Sequence, residues 1–409
     1  MEDSRGNQAF ARRGLSQTVV ALGVVSLLTD ISSEMIYTQV PVFLTVVLGA
    51  PAAAVGLIEG VAESTASLLR LVSGWLSDRS GRRKPLTVMG YALGAVTKPL
   101  LALAVSWPFV LLLRFLDRAG KGLRTAPRDA LITETTPPAA RGRAFGLHRA
   151  MDTTGAVIGP LLGIAILRAL PHGEAHLAHN LRGLFACAAV PGTLAVLTLL
   201  AFVREPDTKK PGGRAPDPAP AVIPVWQELS PDYRRFLFIV LLFQLGNSSD
   251  AFLILRARTL GFSAEQLLWL YAAFNVVEAL LGYAAGALSD RFGRRPLIEA
   301  GYLVFAVVYA GFALANRQWM IWPLFLLYGL YYTLTQGTQR ALAADLASEA
   351  RRATQIGAYH MVTGLAVLPA SVVAGLLFDL SPAVPFVVGA CTATASAVLL
   401  RMGFRSASP

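Results

Sequence analysis

The chain has 409 residues, of which 54% are hydrophobic and 15% charged, against roughly 25% charged in ordinary soluble domains. With a mean hydropathy of +0.53, it lacks the charge needed to cover the cores of a soluble enzyme, and its apolar runs repeatedly exceed the ~20 residues of a membrane-crossing helix. A disordered chain and a secreted disulfide scaffold are excluded on the same grounds. The net charge of +11 is spread over short segments between apolar runs, as the positive-inside rule expects, so no nucleic-acid partner is expected. Cys187 and Cys391 each fall inside an apolar run and read as small packing residues.

Taken in order, the apolar runs predict twelve membrane-spanning helices. The first six lie near 17–47, 52–77, 85–105, 108–133, 145–169 and 183–203. The second six lie near 234–259, 264–289, 296–315, 319–344, 356–379 and 383–403. The first run is too long for a signal-peptide core and lacks a small-residue cleavage site, so it reads as an uncleaved span. None of the runs alternates with period two, which argues against a transmembrane barrel. The expected class is therefore an all-α integral membrane protein.

One connection is long. Residues 204–232 contain Pro206, Pro211, Gly212, Gly213, Pro216, Pro218, Pro220 and Pro224, a composition that cannot bury a core. It separates an N-terminal six-helix half, 1–203, from a C-terminal half, 233–409. Arg12, Arg13, Arg79, Arg82, Arg83, Lys84, Arg141, Arg143, Lys209, Lys210, Arg291, Arg294, Arg295, Arg351, Arg352 and Arg405 fall on one side of the predicted spans. Arg168, Arg182, Arg317 and Arg258 are left for the other. Both termini and the linker are thus expected in the cytoplasm, with the spans in the plasma membrane, the inner membrane if the cell is Gram-negative.

The two halves repeat one motif. Gly74, Leu76, Asp78, Arg79, Gly81, Arg82 and Arg83 follow the second span as G-x-L-x-D-R-x-G-R-R. Gly286, Leu288, Asp290, Arg291, Gly293, Arg294 and Arg295 repeat it after the eighth. Glycine permits a tight turn and close helix approach. The carboxylate of Asp78 can pair with a loop arginine or face a helix N-terminus. In the fifth span, Gly146, Gly155, Gly159, Pro160 and Gly163 place three small residues on one helical face beside a proline that removes a backbone donor. Repeated six-helix halves are a transporter signature, with the site expected near the bilayer midplane.

On these motifs the chain resembles the major facilitator superfamily over essentially its whole length, and within it the proton-coupled drug and metabolite antiporters. The resemblance implies two pseudo-symmetric six-helix halves and a cytoplasmic latch at Gly74, Asp78, Arg79, Gly81, Arg82, Asp290 and Arg294. It also implies an exporter-associated motif at Gly146, Gly155, Gly159, Pro160 and Gly163, although Ile164 stands where a further glycine is usual. The fourth span, with Arg114, Asp117, Arg118, Gly120, Lys121 and Gly122, is similar to another family pattern but has charges at Asp117 and Arg118 where neutral residues are usual. The family's first, fourth, seventh and tenth spans line its central cavity.

Charged side chains inside the spans cost roughly 2.5–3.5 kcal/mol each on insertion scales, so they must pair or face a water-filled cavity. Asp30, Glu34 and Tyr37 share a face of the first span, and Glu59, Glu63 and Arg70 share a face of the second. Lys98 interrupts the third, and Arg114, Asp117, Arg118, Lys121 and Arg128 stripe the fourth. Gln244, Asn247 and Asp250 in the seventh, Asn275 and Glu278 in the eighth, and Tyr328, Tyr331, Tyr332 and Gln336 in the tenth make a polar-aromatic counterpart. Asp30 and Glu34, then Glu59 and Glu63, are the expected proton carriers; Tyr37, Arg114, Asp117, Arg118, Lys121, Gln244, Asn247, Asp250, Asn275, Glu278, Tyr328, Tyr331, Tyr332 and Gln336 are the expected substrate surface.

These observations predict a secondary active transporter, a proton-coupled exporter of small organic compounds working by alternating access. The alternative is transport of an organic anion or metabolite by the basic N-terminal half. Its partners are protons, a small-molecule substrate and the bilayer, with a monomer as the working unit. No hydrolase, nucleotide-binding or metal-ligand motif is present, so neither an enzyme nor a cofactor is expected.

Overall fold

In lipid, a backbone amide that finds no partner within its own segment has no water to fall back on, so an apolar run of this length must coil into a helix. The computed structural model describes residues 15–171, 173–205, 229–348 and 352–403 and bears this out. The first half holds α1 (Gln17–Tyr37), the short α2 (Gln39–Val42), a π-helical turn (Phe43–Val47), α3 (Ala52–Ser80), α4 (Lys84–Ala102), α5 (Trp107–Glu134), α6 (Arg141–Ala169) and α7 (Leu177–Phe202). The second holds α8 (Pro231–Gly246), α9 (Ala251–Thr259), α10 (Ala264–Phe292), α11 (Arg294–Leu314), α12 (Gln318–Leu346), α13 (Arg352–Leu380) and α14 (Val384–Gly403). No strand occurs among the described residues. Most of the linker, 206–228, and Arg12, Arg13, Lys209, Lys210, Arg351 and Arg405 lie outside them.

Among the described residues twelve spans result, eight of which contain a stretch apolar enough to cross a bilayer by composition alone. The other four are α4, α5, α10 and α12. In α5 the charged stripe lowers the hydropathy, and Arg114, Arg118 and Arg124 are buried in the protein. Two predicted single helices are interrupted. The first span breaks at Thr38, three residues before Pro41, and then loosens into the π-turn. The seventh breaks across 247–250, where side chains compete for the backbone. The Ser249 amide donates to the Ser371 hydroxyl at 3.1 Å, and the Ser249 hydroxyl accepts from the Ala251 amide at 3.3 Å. The fifth and sixth spans begin earlier than predicted, at Arg141 and Leu177, because a helix continues past the apolar stretch that hydropathy detects.

The described chain forms two compact units, residues 1–37 with 68–218 and residues 38–67 with 219–409. In the first, α1 packs along α6 and α7, and α4 along α5 and α7. Val19, Leu22 and Val25 of α1 meet Leu131, Ile132, Ala144 and Leu199 in one apolar cluster. In the second, α11 packs against α12 and α14, and α8 against α13 and α14, around stacked rings of Phe243, Tyr302, Phe305 and Tyr309. The two cysteines are not packing residues. Both thiols are exposed, since an apolar run in a multi-pass protein presents one side to lipid.

Candidate functional site

A pocket lies within the first unit. It is a small, partly open cavity of about 40 Å³, lined from α1, α4 and α5. From α1 come Asp30, Ser33, Glu34 and Tyr37; from α4, Thr97, Lys98 and Leu101; from α5, Arg114, Asp117, Arg118, Lys121 and Arg124. Sequence spacing had put Asp30, Glu34 and Tyr37 on one helical face, and the pocket gathers them with the α5 stripe. The contribution of α4 was not expected. Five basic side chains therefore share the pocket with three carboxylates.

Glycines let these charges converge. Gly90 of α4 and Gly120 of α5 cross so closely that a Cβ on either would lie 2.5 Å from the other's carbonyl oxygen. One turn along, a Cβ on Gly94 would lie 3.4 Å from both Arg124 Nη1 and Asp117 Oδ1. In the space so left, Lys98 Nζ donates to Asp117 Oδ1 at 2.6 Å, and Arg114 reaches the other oxygen at 3.9 Å. Lys98 is thus a close lysine partner of Asp117. Arg124 lies over the ring of buried Tyr91 with its guanidinium carbon 4.3 Å from the centroid. Arg124 and Thr97 were not among the expected cavity residues, although Arg124 continues the helical stripe one turn after Lys121.

On the other side, α6 supports the acidic pair. A Cβ on Gly155 would sit 2.7 Å from the Leu27 carbonyl oxygen and 2.9 Å from Asp30 Cβ. One on Gly159 would sit 2.9 Å from the Ile31 carbonyl oxygen and 3.0 Å from Glu34 Cβ. The two glycines of the fifth-span motif therefore seat the two helical turns that carry Asp30 and Glu34. Gly163 and Pro160 are buried on the same helix, while Gly146 faces open space. Ser32 ties the far side of α1 to α7 through its 2.6 Å bond to the Ala188 carbonyl.

Glu59 and Glu63 do not line this pocket. They belong to the second unit, where with Glu278 they are charged neighbours of Asp250. At the α8–α9 break, Asp250 accepts a 2.6 Å hydrogen bond from the Tyr328 hydroxyl. Asn247 donates to Tyr331 at 3.2 Å and to Gln244 at 3.0 Å. Gln336 donates to the Tyr332 hydroxyl at 2.7 Å. Tyr328 and Tyr331 are buried against Phe274 and Phe305, and Asn275 is buried close by in sequence to Phe274. Two tyrosines of the predicted substrate surface thus serve in an aromatic core that fixes the break.

At the end of α3, Gly81 takes φ +63 and turns the chain, as the motif requires. Gly293 takes φ +86 in the repeated copy, whose Arg294 pairs with Asp345 at 2.7 Å. The side chain of Asp290 lies outside the described residues. Gly74 faces Ala126 of α5, 3.5 Å from its would-be Cβ. Asp78 pairs with Arg83 at 3.1 Å, and Arg83 also holds Glu134 at 2.7 Å and the Ser77 hydroxyl at 3.1 Å. Burial alone would lower the Arg83 guanidinium, but its bonds to Glu134 and Asp78 raise it above its ordinary value. Arg79 instead lies over Trp75, and the Arg82 amide donates to Ser80 at 3.3 Å. Glu205 was missed altogether. Its carboxylate accepts from the amides of Arg83 and Lys84 at 2.6 and 2.9 Å and so caps α4 from 122 and 121 residues away.

Comparison with known proteins agrees with this architecture. The sequence matches the profile described as Major Facilitator Superfamily over residues 22–367 and again over 236–409. It is 36% identical over 397 residues to an uncharacterized MFS-type transporter of Methanocaldococcus jannaschii, covering 95% of each chain. It is 26% identical over 333 residues to the multidrug resistance protein MdtH of Aeromonas hydrophila, covering 81% of this chain and 80% of the other. The fold is similar to that of the nucleoside transporter NupG, with a TM-score of 0.76 at 12% identity over 96% of this chain and 100% of the other.

Proposed function

The chain belongs to the major facilitator superfamily and is a multi-pass membrane transporter of that family; from this premise we propose that it exports small organic compounds by proton-coupled alternating access. The observation that carries the reading is the pocket in which Asp30 and Glu34, one helical turn apart, share a water-accessible space with the Lys98–Asp117 pair. A carboxylate there can be ionised when the pocket is wet and neutral when it closes, which is the requirement for carrying a proton. The fifth-span glycines seat that acidic pair, and the likeness to a multidrug resistance protein supports outward movement.

A second reading rests on the charge count. Five bases against three carboxylates leave the pocket net positive when all are ionised, which suits a carboxylate- or phosphate-bearing substrate. Both readings take 1–203 and 233–409 as the two six-helix halves of the chain. Both put the termini in the cytoplasm and take the monomer as the working unit.

The test is flux in proteoliposomes with an imposed pH gradient, using tetracycline as an amphiphilic drug and succinate as an organic anion. Gradient-driven movement of tetracycline supports the first reading, and movement of succinate alone supports the second. Flux of either that ignores the pH gradient removes proton coupling.

A further inference from the structure

The N-terminus of α3 has no cap of its own. Ala50, Pro51, Ala52 and Ala53 offer no side-chain oxygen to the first amides of the helix. The missing acceptor comes from 327 residues away, at the end of α13. Asp379 Oδ1 accepts from the Ala52 amide at 2.8 Å, and Oδ2 accepts from the Ala53 amide at 2.9 Å. Beyond this cap the two helices are in close contact. A Cβ on Gly375 would lie 2.5 Å from the Ala52 carbonyl oxygen, and one on Gly60 would lie 2.8 Å from Leu368 Cα. Deeper still, the Ser64 hydroxyl donates to the Gly364 carbonyl at 2.9 Å. Every partner in this seam lies in the second unit.

A local cap travels with its helix. This cap comes from a distant span and exists only while residues 52–67 of α3 lie against α13. We propose that Asp379 is a positioning residue of the transport cycle: a carboxylate latch that holds the α3–α13 seam shut and lets go when the seam opens. It sits at the end of α3 opposite Asp78. The same helix therefore carries an acidic contact at each end, Asp78 with Arg83 and Asp379 with the helix's own amides. The ionised carboxylate complements both the unpaired amides and the positive helix end, whereas a carboxamide matches the shape without the charge.

The inference rests on alternating access and on neither the substrate nor the coupling ion, so its test reads the seam itself. Cys187 and Cys391 are replaced by Ser, and Ser64, 5% exposed inside the seam, by Cys. The purified protein is then alkylated with a water-soluble maleimide. Asp379→Asn should raise the alkylation rate of that thiol by about fivefold, the change in population expected from losing one helix cap. Asp379→Glu should restore the slow rate. Ala53→Pro removes one donor from the other partner at a first-turn position that tolerates proline, and should also speed alkylation without adding to Asp379→Asn. Thermal unfolding of each variant separates seam opening from loss of fold. An unchanged rate in folded Asp379→Asn, or an equal rise in Asp379→Glu, overturns the latch. Neither result bears on pH-gradient-driven flux, which tests the transport reading separately.

Discussion

Gly155→Ala adds one methyl group where α6 meets α1, and the structure sets its consequence. The new carbon would lie 2.7 Å from the Leu27 carbonyl oxygen and 2.9 Å from Asp30 Cβ, well inside ordinary van der Waals contact. Both neighbours belong to the α1 segment that bears the acidic pair, so relief requires the two helices to part by several tenths of an ångström or more. Overpacking of this kind costs about 1–3 kcal/mol, and a displacement near 1 Å at reacting groups can cost on the order of 100-fold in rate. The variant should therefore fold with a lowered unfolding temperature and show sharply reduced pH-gradient-driven flux. Gly146→Ala supplies the internal comparison. It lies in the same sequence motif, yet a Cβ there meets nothing within 4 Å, so it should behave as wild type. Both variants are measured by thermal unfolding in detergent and by flux in proteoliposomes. If Gly155→Ala matches wild type in both, or if Gly146→Ala is equally impaired, the motif does not work by seating α1.

Further expectations are as direct. Asp117→Asn strands Lys98, whose side chain is only 4% exposed, and should destabilise the protein by about 3–5 kcal/mol; adding Lys98→Met should recover much of the melting temperature, and failure to recover would mean that Lys98 is held elsewhere. Glu34→Gln and Asp30→Asn should each abolish gradient-driven flux while preserving exchange at equal pH, with effects that do not add; wild-type gradient-driven flux in both moves the coupling site away from α1. Asp78→Asn should suppress transport with a melting shift worth under about 1 kcal/mol, because its pair with Arg83 leaves Asp78 65% exposed; near-normal flux would reduce this loop to a topological anchor. Shortening the linker within 211–220 should leave flux unchanged, since its Pro and Gly content suits a tether, and a loss of substrate affinity in folded protein would identify a binding segment.

The signals that were legible in the sequence are those enforced locally. Glycine at position 81 was readable as a turn, because only a residue without a Cβ readily adopts the φ of +63 found there. Asp30 and Glu34 were readable as partners because four residues make one helical turn. The breaks at Thr38 and at 247–250 were not expected, because apolar sequence resumes on both sides of each and the polar Asn247, Ser248, Ser249 and Asp250 fit a cavity-facing stretch of one continuous helix. At 247–250 the Ser249 amide turns to Ser371 and the Asn247 side chain to Tyr331, both on other spans.

Length, hydropathy and the repeated loop motif determined that this is a twelve-span membrane protein of two related halves, because the bilayer punishes every unpaired backbone group wherever it falls along the chain. Which charge meets which was decided only by tertiary structure. Lys98 and Asp117 lie 19 residues apart on different spans, and the crossing of Gly90 with Gly120 is what lets them meet. Glu205 and Asp379 look like ordinary helix-end acids until folding carries each to the uncapped start of a distant helix. A helix records its own period in its sequence, but the partner of a side chain depends on how two helices cross, and that is set by the small residues of both together.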